Sequence, residues 1–329
     1  MKKVLVIGSN SFSGSDFIDL LLENGQYTVV GVSRSEEKNP LLLPYKKRNS
    51  PHFRFQKIDL NRDMEQLDAL LDTFEPDYVV NFAAQSEVAP SWDHPHHWFQ
   101  TNAVALTLLA NLLSKKRFLK KYVHISSPEV YGTCEGFIKE DAPLNPSTPY
   151  AASKAAGDLS LFTFAKNFSF PLVMIRATNV YGPYQQLFKI IPRSIIYMKK
   201  GIKIPLHGGG SAVKSFIHVR DVSLGELQAM EKGRPGEIYH FSPDQGIQVR
   251  DIVTSLADQL KRPFQEVVEI VGERLGQDKA YTIDSTKARS EFGWKPTISI
   301  QEGLKRTIDW VEENFELIQK QPLEYLHKE

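Results

Sequence analysis

A single cysteine, Cys134, in 329 residues leaves no partner for an internal disulfide, which excludes a cross-linked secreted scaffold and fits a reducing compartment. Nowhere does the chain approach the about 18 consecutive apolar residues that a membrane span requires. Net charge is also scarce. Forty basic residues against 39 acidic ones leave +1, so neither a nucleic acid nor a membrane surface is an expected partner. The opening MKKVLVIG places basic residues before an apolar run, but the run stops at SNSFSGS with no cleavage-like site, so it reads as a first strand and not a leader. Internal repeats and low-complexity linkers are absent too. These bounds describe a soluble, cytoplasmic protein, and its length suits one large α/β unit with a smaller partner.

What is present is alternation. Short apolar runs (KVLVIG, YTVVGVS, FRFQKID, YVVNFAA, YVHISS, PLVMIRA) are separated by amphipathic ones such as FIDLLLENG, MEQLDALLDTF and NAVALTLLANLLSKK. Strand and helix alternating on this scale predict a Rossmann-type doubly wound parallel sheet, whose ligands lie at the carboxyl ends of its strands. After residue 177 the runs SLGELQAMEK, QVRDIVTSLADQLK and IQEGLKRTIDWVEENF predict a smaller, mixed α/β substrate lobe. Residues 1–177 are expected to form mainly the dinucleotide half and 178–329 mainly the substrate half, with segments interleaved.

The first strand-to-helix loop, GSNSFSG, spaces Gly8 and Gly14 as a pyrophosphate turn needs, with Ser11 where a middle glycine is expected. Serine serves there if its φ is negative and its hydroxyl faces the phosphate. After the second strand, Ser33, Arg34 and Ser35 replace the usual acidic residue. A guanidinium suits a 2′-phosphate, which favours NADP over NAD. Asp59 either meets the adenine or caps the following helix.

Tyr150 and Lys154 in PYAASKAAGD lie four apart, hence on one helix face, where a neighbouring ammonium favours the phenolate. Ser126 or Ser127, at the end of YVHIS, would share the substrate hydroxyl with Tyr150. His94, His96 and His97 are not at helical ligand spacing, so no metal is expected.

From the first strand to about residue 315 the chain resembles the extended short-chain dehydrogenase/reductase family, and within it the nucleotide-sugar 4,6-dehydratases. The resemblance is carried by NFAAQSEVAPSW, ISSPEVYG, TPYAASKAAGD, IRATNVYGPYQ, FIHVRDV, RLGQDKAY and FGWKPTISIQEGLKRTIDW. It implies a bound nicotinamide nucleotide, a nucleoside-diphosphate sugar as substrate and a homodimer. The implied cofactor residues are Gly8, Ser11, Phe12, Gly14, Ser33, Arg34, Asp59 and Leu60, with Tyr150 and Lys154. It further implies that Ser127 binds the sugar 4-hydroxyl, Tyr150 takes its proton, Lys154 holds the nicotinamide ribose, and Glu129 removes the C5 proton. Ser86 would face the sugar, Asn179 and Lys189 the substrate, and Lys214 and Arg274 the diphosphate, Lys214 standing where an arginine is usual.

The departure is Pro128, which occupies the place of the acid that protonates the leaving C6 hydroxyl and has neither a side-chain proton nor an N–H. Glu129 then acts as base and acid in turn, or the product is a 5,6-unsaturated sugar, or the 4-ketone serves epimerisation or decarboxylation of a uronic acid. A non-catalytic nucleotide sensor is the contrasting class. The intact Ser127, Glu129, Tyr150 and Lys154 set weighs against it.

Overall fold

The computed structural model describes residues 1–133, 136–272 and 282–329. Its centre is a sheet of seven parallel strands: β1 (Lys2–Ile7), β2 (Tyr27–Ser33), β3 (Phe53–Lys57), β4 (Tyr78–Asn81), β5 (Lys121–Ile125), β6 (Leu172–Ala177) and β7 (Glu237–Phe241). They run in the order β7-β6-β5-β4-β1-β2-β3. The order reverses between β1 and β4, the switch point where such sheets bind ligands.

Both faces of the sheet are covered, so its inner strands carry runs of consecutive apolar residues and not alternating ones, as in VLVI of β1 and LVMI of β6. Val4 and Val6 pack with Phe17, Ile18 and Leu21 of α1 (Phe12–Asn24) on one face, while Leu5 and Ile7 share the other with Leu67 and Leu71 of α2 (Met64–Phe74). The second layer continues with α3 (Leu106–Leu113) and α4 (Pro149–Phe168), which reach it through Leu109 and Leu161. Strand β7 is absent from the sequence reading. Its run EIYHF is short and mixes charged with apolar residues, as an edge strand does, and it brings the region after residue 177 back into the central sheet.

The second lobe has its own core. Ile191 and Ile195 of α5 (Ile190–Lys200), Ile252 and Leu256 of α7 (Val249–Gln259) and Leu304, Ile308 and Val311 of α8 (Ile300–Glu313) pack together. Small parallel and antiparallel strand pairs complete it, Ile204–His207 with Val268–Val271 and Val213–Lys214 with Ile247–Gln248, so the lobe is mixed α/β as expected. Between the cores, α6 (Val219–Lys232) carries Asp221, 1% exposed. Its carboxylate accepts from the N–H and hydroxyl of Thr297 (3.0 and 2.8 Å) and from the Ile298 N–H (3.0 Å).

Three bonds to one buried carboxylate fix the segment leading into α8. Asp221→Ala is therefore expected to lower unfolding stability by about 3 kcal/mol or more, since hydrogen bonds to charged groups contribute about 1.5–3 kcal/mol each. Urea denaturation checks this. A change below about 1 kcal/mol would show that the lobes dock without this tie.

Candidate active site

The loop between β1 and α1 is held by its own backbone. Ser11 N–H bonds to Gly8 O at 2.9 Å, and Gly8 N–H bonds to Val32 O at 2.8 Å. Gly8 has φ +85°, and a Cβ there would sit 2.6 Å from Ala83 N; at Gly14 a Cβ would meet Gly8 O at 2.6 Å. Only glycine fits at either position. Ser11 has the required negative φ (−74°), but its hydroxyl caps α1 by accepting from Gly14 N–H (3.0 Å) and does not face outward. The first-turn N–H groups of Phe12 and Ser13 have no intrahelical partner and lie at the positive end of the helix dipole. This glycine cradle and helix end fit the pyrophosphate of a dinucleotide.

The rest of the expected cofactor set is divided. Ser33 is buried and turned into the loop, its Oγ accepting from Asn10 N–H at 3.0 Å. Asp59 accepts from Asn61 N–H at 2.9 Å in a turn of its own, while Asp63 occupies the N-cap position of α2, so the capping alternative for Asp59 does not hold. Leu60 is buried beside it. Arg34 donates to the main-chain oxygen of Glu329, a partner 295 positions away.

The catalytic candidates meet at the end of β5. Ser127 caps a single 3₁₀ turn, Pro128–Tyr131, its Oγ accepting from Glu129 N–H at 3.2 Å. Pro128 takes the first position of that turn, where a missing N–H costs nothing. The Tyr150 side chain arrives from the first turn of α4 and hydrogen-bonds with Ser127. Burial pushes its hydroxyl well above the usual tyrosine value, and the Glu129 carboxylate adds to this while Ser127 opposes it. In this structure burial is the largest influence on the Tyr150 hydroxyl.

Lys154 donates to Ile125 O at 2.9 Å and lies 3.4 Å from His124 Nε2. Burial pushes its ammonium down to about 8; Asp158 works against that shift and Arg176 with it. Asp158 and Arg176 form a fully buried pair at 2.8 Å, and Ser126 Oγ donates to the same carboxylate at 2.6 Å. Ser126 is thereby committed, and Ser127 alone is left to face the cleft with Tyr150.

The loop after β4 forms the opposite wall. A π-helical turn, Gln100–Ala105, presents Asn102, which exchanges two 2.9 Å bonds with the Gln85 backbone and donates to Ser153 Oγ on α4. Ser86 is exposed on this loop. Its neighbour Glu87, which sequence reasoning passed over, pairs with Lys189 at 2.7 Å, and its charge reaches Tyr150. Asn179 is half-buried, its Oδ1 without a hydrogen-bond partner among the described residues, and Lys214 is half-buried on a short strand. Arg274 lies outside the described residues. Among the described residues no group of three His, Cys, Asp or Glu could hold a metal.

Comparison with known proteins gives the family. The pattern of the family described as GDP-mannose 4,6 dehydratase matches residues 5–307. The chain belongs to that family. It is 32% identical to dTDP-glucose 4,6-dehydratase of Streptomyces antibioticus, over 97% of this chain and 96% of that protein. The dTDP-glucose 4,6-dehydratase of Streptomyces venezuelae, solved with NAD bound, superposes with a TM-score of 0.89 at 31% identity, over 96% of this chain and 98% of that one. A UDP-glucuronic acid 4-epimerase of Bacillus cereus gives a TM-score of 0.86 at 26% identity, over 94% and 99%. The protein is an enzyme of the nucleotide-sugar dehydratase and epimerase class, and it has the Rossmann-type fold of that class.

The ammonium form of Lys154 exists below about pH 8, so a rate that depends on it falls as pH rises through that value. Asp158→Asn removes the charge that holds the proton on. The alkaline limb of the kcat profile is then expected to move to lower pH, a shift that simple loss of folded enzyme does not produce. An unmoved limb would mean that Lys154 is not the group titrating there.

Proposed function

We propose that the protein removes water from a nucleoside-diphosphate hexose, forming a 4-keto-6-deoxy sugar nucleotide without net oxidation. The observation that carries this reading is the meeting of Ser127, Tyr150 and Glu129 at one strand end. A plain 4-epimerisation needs the first two and has no use for a carboxylate base at C5. When bound, the nicotinamide supplies a reversible hydride acceptor.

Tyr150, bonded to Ser127, takes the proton of the 4-hydroxyl, with Lys154 supplying positive charge one turn along the helix and holding the nicotinamide ribose. The ketone formed at C4 acidifies the C5 hydrogen, which Glu129 removes. Departure of the 6-hydroxyl requires a proton, and Pro128 has none to give. We assign that donation to Glu129, now protonated and on the same loop. The hydrogen taken from C4 returns at C6, and a solvent proton restores C5. Asn179, Lys189 and Lys214 are assigned to the substrate's polar groups and diphosphate; the Asn179 Oδ1, unpartnered among the described residues, supports a ligand there.

In this reading residues 1–177, joined by β7, hold the dinucleotide and most of 178–329 hold the sugar nucleotide. The enzyme is a cytoplasmic homodimer built on α3 and α4, whose region leaves Val104, Leu108 and Leu159 exposed. Among the described residues no helix is long and apolar enough to cross a membrane.

The epimerase reading keeps a specific support in the Bacillus cereus likeness, and one experiment separates the two. The enzyme is incubated in deuterium oxide with UDP-, dTDP-, GDP- and CDP-hexoses and with a UDP-linked uronic acid. The expected product has lost one water and carries one deuterium at C5, and Glu129→Gln slows its formation by about 10²–10⁴-fold. An isomer of unchanged mass, or loss of carbon dioxide from a uronic acid, overturns the dehydratase reading.

A further inference from the structure

Residues 325–329 do not trail into solvent. The Tyr325 ring meets that of Phe188 edge-on, with centroids 5.5 Å apart. His327 stacks on Trp98 and His94 at 5.2 and 4.9 Å, and its Nε2 lies 2.8 Å from His97 Nδ1. Lys328 O accepts from Gln85 Nε2 at 2.6 Å, and Glu329 O accepts from Arg34. The Glu329 carboxylate stands 4.0 Å from both the Arg62 guanidinium and His97 Nε2.

Arg34, Arg62 and Gln85 follow β2, β3 and β4, so the segment crosses the carboxyl edge of the sheet on the side where a doubly wound fold binds the adenosine of its dinucleotide. Among the described residues, none of its hydrogen bonds goes to the loop 8–14. Its contact at the position after β2, where the ribose 2′ substituent is read, is the bond from Arg34 to Glu329 O.

We propose that this segment selects the cofactor, making the cleft prefer NAD to NADP. The proposal rests on the dinucleotide reading given above. Arg34 alone would attract a 2′-phosphate through charge-assisted bonds, but here it is engaged by Glu329 O, and the side-chain carboxylate of the same residue stands 4.0 Å from the Arg62 guanidinium, adding negative charge to this edge of the cleft. An incoming 2′-phosphate loses its guanidinium partner and meets a like charge. A free 2′-hydroxyl needs neither Arg34 nor relief from that charge. Selection thus includes a repulsive element as well as a withdrawn attractive one. The distal segment supplies the acidic character that the end of β2 lacks in sequence.

The test is calorimetric titration of NAD and NADP into nucleotide-free protein, which reads binding without turnover. Three forms are compared: the full chain, a variant lacking residues 325–329, and that shortened variant with Arg34→Ala. Shortening is expected to tighten NADP binding at least tenfold and NAD binding less than threefold, and Arg34→Ala to abolish the NADP gain. In the full chain, Glu329→Gln, which leaves the main-chain contact in place, is expected to recover part of the gain. Equal tightening of both dinucleotides would make the segment a simple plug and overturn the proposal, as would no change in either. If no form bound either dinucleotide, the reading of the cleft itself would fail, and the proposal with it.

Discussion

The arrangement of the active site hangs on one buried ion pair. Asp158 and Arg176, 0% and 1% exposed, meet at 2.8 Å between α4 and strand β6 of the central sheet. Removing either partner would leave a charge stranded in the interior, at a cost of about 3–5 kcal/mol. Everything catalytic is arranged around this contact. Ser126 is drawn to the carboxylate, so that Ser127 faces the cleft, and Arg176 also donates to Tyr131 at the end of the turn that carries Glu129. The remaining oxygen, Asp158 Oδ1, lies 3.7 Å from His124 Nε2, the ring against which Lys154 is set. One helix and two strands therefore share a fixed register under the site, and Tyr150 inherits its position from it.

Pro128 takes on a plain physical meaning in this setting. A proline at the first position of a short turn fixes φ and forgoes an N–H that would be unpaired there anyway. Stiffening the loop between Ser127 and Glu129 restricts where that carboxylate can go, which suits a group used first as base and then as acid. The second carboxylate near Tyr150, Glu87, comes from the facing wall and is tied to Lys189, so both sides of the cleft carry negative charge close to the tyrosine.

Much of this was legible in the residues. Inner strands covered on both faces carry consecutive apolar residues, so the VLVI of KVLVIG or the YVV of YVVN announces a parallel sheet; the edge strand EIYHF carries no such signal and was missed. Gly8 and Gly14 were readable because the close approach to Ala83 and to the loop's own carbonyl demands glycine. The spacing of Tyr150 and Lys154 was readable because a helix repeats every 3.6 residues. What sequence could not disclose is long-range or depends on burial. The contact of Arg34 with position 329 joins residues 295 apart. Position alone left Ser126 and Ser127 equivalent; the resemblance pointed to Ser127, and the bond from Ser126 to Asp158 supplies the physical reason. The direction of the Tyr150 shift is set by burial, with the Glu129 and Glu87 charges acting the same way, and adjacency in sequence reveals neither.

The central claim is that the hydrogen taken from the sugar's C4 comes to rest on C6 of the same molecule. A nucleoside-diphosphate hexose deuterated at C4 tests it directly, with the position of the label in the product read by NMR. Label at C6 of a 4-keto-6-deoxy product, transferred without dilution by solvent, is the predicted result. Label still at C4 of a stereoisomer would contradict it, and would mean that Glu129 is a bystander to a simpler exchange at C4.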